Sequence, residues 1–216
     1  MNPWRRRGVP LRGSGDPPLY AALRVFCALL IAPLYRYSAR GGEHVPPTDG
    51  VILAVSHKSW WDPLFAGMAL RRPVRPMAKI ELFRHPFSRW VVSTLGAFPV
   101  RRGEGDVEAL RRSLAIVAEG GVLLMFPEGT RHHDDEIHPF FAGIGLLAAR
   151  STAPVVPVAI RGSKEMARNK LPRFPRVRVA IGPPVDISAL EGRGGERHAA
   201  VAGRLRSAVV ELYDSL

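Results

Sequence analysis

A histidine and an aspartate stand five positions apart in the segment VSHKSWWDPLF, Val55–Phe65, with two tryptophans between them. An imidazole whose proton is held by a carboxylate can act as a general base, so His57 and Asp62 are the first candidates for chemistry. On one helix the two side chains would point about 140° apart, given the ~3.6-residue turn. A contact between them therefore requires the chain to bend between these positions.

The residues around the pair indicate such a bend. The apolar run VILAV from Val51 predicts a buried strand that ends before His57, and Asp62-Pro63 is typical of a helix N-cap and first helical position. His57 would then lie at a strand-to-helix turn, where α/β proteins place their chemistry. A purely structural interpretation also fits, in which Asp62 only caps the helix, His57 is an ordinary turn residue and the tryptophans belong to the core.

A second polar segment, VLLMFPEGTR, spans Val122–Arg131. It predicts a buried strand that ends at Phe126, because Pro127 cannot continue it, followed by a tight polar turn over Glu128–Arg131. An arginine in such a turn can hold a phosphate through two parallel hydrogen bonds, and a neighbouring carboxylate can orient that arginine or bind substrate hydroxyls. A glutamate–arginine pair that only fixes the turn is the alternative.

Strand and helix patterns alternate along the chain and must position these two segments. The predicted strands are VILAV, VRPMAKIELF, AFPV, VLLMF, VVPVAI and VRVAI. The predicted helices are PLFAGMALRR, PFSRWVVSTLG, DVEALRRSLAIVAEGG, FFAGIGLLAARS and a final helix from about Glu196 to Leu216. This alternation predicts an α/β fold with a central, largely buried sheet flanked by helices.

Length, charge and cysteine content narrow the class of protein. The chain of 216 residues fits one domain, residues 42–216, preceded by an N-terminal segment, residues 1–41. The net charge of +12 favours anionic partners, such as a membrane surface, phosphorylated metabolites or nucleic acid. One cysteine, Cys27, cannot form an internal disulfide, so a reducing, cytosol-facing location is expected.

The segment 1–41 combines arginines with an apolar run from Val25 to Tyr35. The run is about half the ~20 residues that a membrane-spanning helix needs, and arginines flank it on both sides. We expect an in-plane membrane-associating helix, with apolar side chains at the acyl boundary and arginines on lipid phosphates. A helix packed on the folded core and a cleaved signal peptide are the alternatives.

Several motifs together resemble one known family, the glycerolipid acyltransferases of the 1-acylglycerol-3-phosphate acyltransferase type. HKSWWD resembles the family's histidine–aspartate block and FPEGTR its phosphate-binding block. AKIELF (Ala78 to Phe83), FPVRR (Phe98 to Arg102) and VVPVAI (Val155 to Ile160) resemble further family segments. The resemblance runs in the family's order from about Val51 to Ile187.

The resemblance implies roles for the charged residues. His57 is expected to be the general base, and Asp62 to hold the proton on the other ring nitrogen. Lys79 is expected to stabilise the oxyanion. The lipid hydroxyl attacks directly, so no serine or cysteine nucleophile is required. The acceptor's glycerol and phosphate are expected to contact Glu128, Gly129, Thr130 and Arg131, assisted by Arg101 or Arg102.

The expected reaction moves a fatty acyl group from acyl-CoA or acyl-carrier protein to the sn-2 hydroxyl of 1-acylglycerol-3-phosphate, giving phosphatidic acid at the cytoplasmic face of a membrane. Glycerol-3-phosphate, another lysophospholipid or an aminoacyl lipid are alternative acceptors. A non-catalytic basic protein that binds membranes or nucleic acid is an alternative of another class. Nucleic acid is not expected as a partner, because the aromatic residues are not interleaved with the arginines.

Two features depart from the family pattern. Phe141 stands near a position where the family commonly has a basic residue, so the substrate contacts there are expected to differ. The segment RHHDDEIH, Arg131 to His138, is rich in side chains that zinc and manganese prefer. The family needs no metal or other cofactor, so an exposed, solvated loop is the expectation here, and a metal site is the alternative.

Overall fold

The computed structural model of the chain describes residues 18–101, 105–167 and 173–216. In this part of the chain one seven-stranded sheet has the strand order β1-β7-β6-β2-β5-β3-β4. Neighbouring strands are parallel except for β6 and β7, which pair antiparallel. The strands are β1 (Ser38–Arg40), β2 (Val51–Val55), β3 (Val74–Lys79), β4 (Phe98–Val100), β5 (Val122–Met125), β6 (Val155–Arg161) and β7 (Arg178–Ile181).

Helices cover both faces of this sheet. They are α1 (Pro18–Phe26), which continues through a π-helical turn (Cys27–Ile31) into α2 (Ala32–Leu34), then α3 (Asp62–Met68), α4 (Pro86–Thr94), α5 (Val107–Ala118), α6 (Gly143–Arg150) and α7 (Gly194–Asp214). Short 3₁₀ turns lie at Gly42–His44, Ile80–Phe83 and Ser163–Ala167. The predicted α/β fold, with a central sheet flanked by helices, is confirmed, and the sheet is mostly parallel.

The central strand β2 shows why the core has two halves. Every residue of β2 is fully buried, as expected for a parallel strand with helices on both faces. Its odd-numbered side chains, such as Leu53, pack with Phe65 of α3 and with Cys27. Cys27 belongs to the continuous helix formed by α1, the π-helical turn and α2, which we call the N-terminal helix. Its even-numbered side chains, such as Ile52, pack with helices α5, α6 and α7, for example with Leu205.

The sheet begins inside the segment predicted as the N-terminal appendage. Strand β1, Ser38–Arg40, precedes the predicted boundary at residue 41 and pairs in parallel with β7. Gly41 then turns the chain with φ +81°, and a Cβ atom there would lie 1.8 Å from the carbonyl oxygen of Ile181. The three residues of β1 carry no alternating apolar pattern, which is why sequence reasoning missed this strand.

The helix before β1 packs against the sheet on one side. Arg24 and Cys27 are buried, and the Arg24 guanidinium donates a hydrogen bond to the carbonyl oxygen of Leu70. Among the described residues, no helix has the length and hydropathy of a membrane span. The membrane-associating role of residues 1–41 stays a prediction.

Four neighbouring parallel strands place the predicted motifs at one edge of the sheet. Strands β2, β5, β3 and β4 run side by side in the same direction, so their carboxyl ends share that edge. His57 follows β2, Glu128 follows β5, Lys79 ends β3 and Arg101 follows β4. Ligands of open α/β sheets bind at this edge.

Candidate active site

The chain bends sharply after β2 and brings His57 onto Asp62. The Nδ1 atom of His57 lies 3.1 Å from Oδ2 of Asp62. The same oxygen accepts hydrogen bonds from the backbone N–H groups of Lys58, at 2.6 Å, and Ser59, at 2.7 Å. Asp62 is the first residue of α3 rather than its N-cap, which is Trp61, and the N-cap makes no side-chain capping bond. The carboxylate therefore serves the His57 loop and not the helix that it begins.

Burial gives this pair its chemical character. Asp62 is 0% exposed and His57 is 6% exposed. The imidazole stacks on the Phe126 ring, with centroids 3.8 Å apart and planes 19° apart. A carboxylate on Nδ1 favours the tautomer that carries its proton there, which leaves Nε2 in its basic form. The buried negative charge also stabilises the imidazolium that forms when Nε2 takes up a proton.

Glu128 joins the second motif to the first. Its Oε1 accepts a hydrogen bond from the backbone N–H of His57, at 2.8 Å, and its Oε2 accepts one from the backbone N–H of His138, at 3.1 Å. The Lys58 ammonium lies 3.7 Å from Oε2. Glu128 is 3% exposed, and both of its oxygens face protein donors. This environment favours a role in positioning the His57 loop over the expected direct contact with substrate.

Gly129 makes the turn after Glu128 possible. Its φ is +72°, and its N–H donates to the carbonyl oxygen of Phe126 at 3.0 Å. A Cβ atom at this position would lie 2.4 Å from the ring of Phe141, so only glycine fits without rearrangement. Thr130 follows on the exposed surface of the turn.

Arg131 lies against the His57 loop. Its guanidinium carbon is 4.4 Å from the centroid of the Trp60 ring, within the range of a cation–π contact. Partial burial lowers the pKa of Arg131, and the negative charge of Asp62 opposes that shift. The guanidinium therefore stands beside the histidine–aspartate pair. The expectation that the two motifs share one site agrees with this geometry.

The tryptophans of the motif are not core residues. Trp60 and Trp61 are both exposed, and the ring of Trp60 makes the contact with Arg131. The interpretation that placed them in the core does not hold.

Lys79 and Arg101 lie on the same edge but farther along the sheet. Strands β3 and β4 are two and three positions from β2, which corresponds to about 10 and 14 Å at the usual strand spacing. The Lys79 ammonium is half-exposed and lies 3.4 Å from the carboxylate of Glu81. Arg101 is exposed, and its backbone N–H donates to Asp106 at 2.8 Å. The alternative candidate, Arg102, lies outside the described residues.

Lys58 was not among the site residues predicted from the sequence. In the structure its side chain is buried, only 1% exposed. Its ammonium faces Glu128, lies 3.5 Å from Asp134 and donates to the carbonyl oxygen of Glu136. Its position between His57 and Asp62 was a usable signal, because a lysine enclosed in a loop beside a buried strand needs a carboxylate partner.

Cys27 is unsuited to be a nucleophile. It is buried among apolar side chains, and this burial raises the pKa of its thiol to about 11. The thiol is therefore neutral at pH 7.

The mostly parallel sheet carries a buried histidine–aspartate pair and an arginine-bearing turn at its carboxyl edge, an arrangement that suits an α/β enzyme with acid–base chemistry. The model of the Acyltransferase family matches residues 36–161, and the chain belongs to this family. The chain is therefore an acyltransferase. The family predicted from the motifs is confirmed.

Curated relatives and a solved structure agree with this result. The chain is 30% identical over 203 residues to a 1-acyl-sn-glycerol-3-phosphate acyltransferase of Streptococcus pneumoniae, covering 90% of this chain and 73% of the relative. It is 29% identical over 201 residues to the Bacillus subtilis enzyme of the same name, covering 88% and 97%. The crystal structure of the LPA acyltransferase PlsC from Thermotoga maritima, 24% identical, shares the fold with a TM-score of 0.60, covering 82% of this chain and 72% of that one.

Proposed function

We propose that the chain transfers a fatty acyl group from a thioester, acyl-CoA or acyl-carrier protein, to the sn-2 hydroxyl of 1-acylglycerol-3-phosphate, giving phosphatidic acid. The observation that carries this proposal is the direct contact between the His57–Asp62 pair and the Glu128–Arg131 turn. One segment supplies a base and the other a cation for a phosphate. The names of the relatives support the same acceptor.

The chemistry follows from the orientation of the imidazole. Nε2 of His57 takes the proton of the lipid hydroxyl while that oxygen attacks the thioester carbonyl. The new C–O bond forms, the C–S bond breaks, and the imidazolium returns its proton to the departing thiolate. Asp62 stabilises the imidazolium between these steps, and Lys79, on its flexible stem, stabilises the oxyanion. The proton that leaves the lipid hydroxyl is the one that reaches the thiolate, so the proposed reaction uses no further proton, and no cofactor is part of it.

The acceptor phosphate binds at the turn beside this base. Arg131 holds the phosphate through its guanidinium, with the hydroxyl of Thr130 and the backbone of Gly129 as further donors. Arg101 or Arg102 assists from the end of β4. Glu128 supports this site from below by fixing the backbone of the His57 loop.

The N-terminal helix supports membrane association. Its buried side contacts the sheet, whereas its other side presents apolar side chains to solvent. We propose that this side lies in the plane of an anionic membrane, on its cytoplasmic face, and brings the site to its lipid substrates. The large apolar residues that this helix exposes are Val25, Phe26, Leu29, Leu30 and Leu34.

The decisive test offers purified protein a labelled acyl thioester together with a panel of acceptors. We expect product with 1-acylglycerol-3-phosphate and a loss of at least about 10³-fold in kcat for His57→Ala, as for removal of other essential bases. His198→Ala, on α7, is the matched control and should keep its activity. Measuring the Tm of each variant will check that the fold is retained.

The panel also separates the alternatives. Product formed from glycerol-3-phosphate, another lysophospholipid or an aminoacyl lipid, but not from 1-acylglycerol-3-phosphate, would reassign the acceptor. Salt-sensitive binding to vesicles without turnover on any acceptor would reject the enzymatic proposal as a whole.

A further inference from the structure

We propose that the loop from Arg131 to His138 binds one divalent transition-metal ion, with zinc the best-fitting ion, through His132, Asp134 and His138. One ligand atom from each of these residues lies within 4.8 Å of the other two. We call this set the His–Asp–His cluster. The sequence predicts a solvated loop here and leaves a metal site as the alternative.

The three side chains already lie close together in the structure. His138 Nε2 lies 2.8 Å from Oδ2 of Asp134, and the rings of His132 and His138 stack with centroids 3.6 Å apart and planes 12° apart. A metal ion would take the place of this direct contact between Nε2 and Oδ2. Bonds of about 2.0–2.1 Å in a tetrahedral site would separate the ligand atoms by about 3.3 Å. Asp134 is exposed and the two histidines are partly exposed, so the rings can rotate out of their stack and direct one nitrogen each at a shared ion.

The ligand set selects the kind of ion. Two imidazoles and one carboxylate, with water as a fourth ligand, are a common zinc environment. Calcium and magnesium prefer a shell of oxygen ligands, which a pair of histidines does not provide. The cluster also has no thiolate, so it is not a structural zinc site of the cysteine-rich kind.

A second set of contacts orients the carboxylate of Asp134. Its Oδ1 accepts a hydrogen bond from the backbone N–H of Glu136, at 3.2 Å, and lies 3.5 Å from the ammonium of Lys58. Its Oδ2 therefore remains directed at the imidazole of His138. Outer partners of this type fix metal ligands in place.

The backbone of the loop is held at several points, which lowers the entropic cost of assembling the ligands. The N–H of His132 donates to the carbonyl oxygen of His57 at 3.1 Å, and the N–H of His138 donates to Glu128 at 3.1 Å. Between them, Ile137 is buried in the core. These ties also connect the cluster to the catalytic loop, so a bound ion would brace the wall of the active site.

The test uses the full chain without a histidine tag, stripped of metal and titrated with Zn²⁺ against a chromogenic chelator. We expect one zinc per chain and a rise in Tm on binding. His132→Ala and His138→Ala should each lower the affinity at least about 10-fold, the minimum seen even for outer-shell changes. Asp134→Asn, which keeps the shape but removes the charge, should also weaken binding. His133→Ala changes the neighbouring exposed histidine and should leave the affinity unchanged.

The comparison of variants decides the proposal. It is overturned if the H132A/H138A double variant binds zinc as tightly as the wild type, or if H133A weakens binding as much as H132A. Zinc binding and Tm are measured without substrate, so they do not depend on the acyl-transfer proposal. If the metal-free variants have the same Tm as the metal-free wild type, their lower zinc affinity comes from the loss of ligands and not from a change in the fold.

Discussion

Two buried carboxylates hold the loop that carries His57. Asp62 accepts the backbone N–H groups of Lys58 and Ser59, and Glu128 accepts that of His57, so three consecutive backbone donors are satisfied by side chains. Buried N–H groups without partners cost free energy, and at these positions side-chain carboxylates supply the acceptors. The carboxylates therefore fix the backbone as well as the imidazole.

This arrangement predicts the effect of Glu128→Gln. The change removes the charge facing Lys58 and turns an NH₂ group toward a backbone N–H, so we expect the free energy of unfolding to fall by about 3 kcal/mol. We expect kcat to fall more than the KM for the acceptor rises, because the His57 loop shifts while the phosphate contacts remain. Urea unfolding and steady-state kinetics measure the two effects.

The partner variant provides the control. In Lys58→Met/Glu128→Gln the buried ammonium that has lost the Glu128 carboxylate is also gone, so stability should recover part of the loss seen in the single Glu128→Gln variant. A large rise in the acceptor KM with kcat unchanged would contradict the positioning role and would return Glu128 to substrate binding.

At the scale of elements, Asp106 closes the loop between β4 and α5. Its Oδ1 accepts the N–H of Ala109, as an N-cap does, and its Oδ2 accepts the N–H of Arg101. One carboxylate therefore ties the start of α5 to the end of β4, where a proposed phosphate ligand lies. These backbone hydrogen bonds lower the pKa of Asp106 from its ordinary value of 3.8.

We therefore predict that Asp106→Ala lowers the free energy of unfolding by about 1 kcal/mol, whereas Asp106→Asn, which can still cap the helix, costs less. The sign of the pH effect follows from the lowered pKa. The ionised carboxylate stabilises the fold above the ordinary pKa, and this stabilisation is lost as the pH falls through the lower folded-state value.

Urea unfolding at a series of pH values tests this prediction. The difference in stability between the wild type and Asp106→Asn should be constant between pH 7 and 5 and should shrink below about pH 4. A difference that stays constant down to pH 3 would show that Asp106 does not titrate with folding.

At the scale of the whole molecule, basic charge and exposed apolar surface occur together. The chain carries a net charge of +12, and the N-terminal helix exposes apolar side chains on the side that does not pack against the sheet. A basic surface attracts anionic lipid, and apolar side chains then insert at the acyl boundary.

We predict that Leu29→Glu lowers the binding of the protein to phosphatidylglycerol vesicles at least about 5-fold, because it places a charge at the apolar boundary. Val107→Glu is the matched control. Val107 is 67% exposed and Leu29 is 64% exposed, but Val107 lies on α5, which packs on the opposite face of the sheet.

Vesicle co-sedimentation measures the binding of both variants. Both substitutions change the net charge equally, so a general electrostatic effect would lower binding in both. Equal losses would therefore contradict an in-plane contact made by the N-terminal helix.

The sequence by itself determined the features that depend on neighbouring residues. The uninterrupted apolar run of β2 requires burial on both faces, Pro127 stops β5, and Gly129 supplies the positive φ that the turn needs. Motif order was enough to identify the family and to predict that His57 contacts Asp62, since only a short bend separates them.

Only the tertiary structure decided which distant side chains meet. Glu128 looked like a substrate ligand in a polar turn, yet the pairing of β2 with β5 places it under the His57 loop and against Lys58, where it is buried. Strand β1 exists because β7 offers it an edge, not because of its own three residues. Strand order and burial depend on contacts between residues far apart in sequence. Short sequence patterns do not determine these contacts.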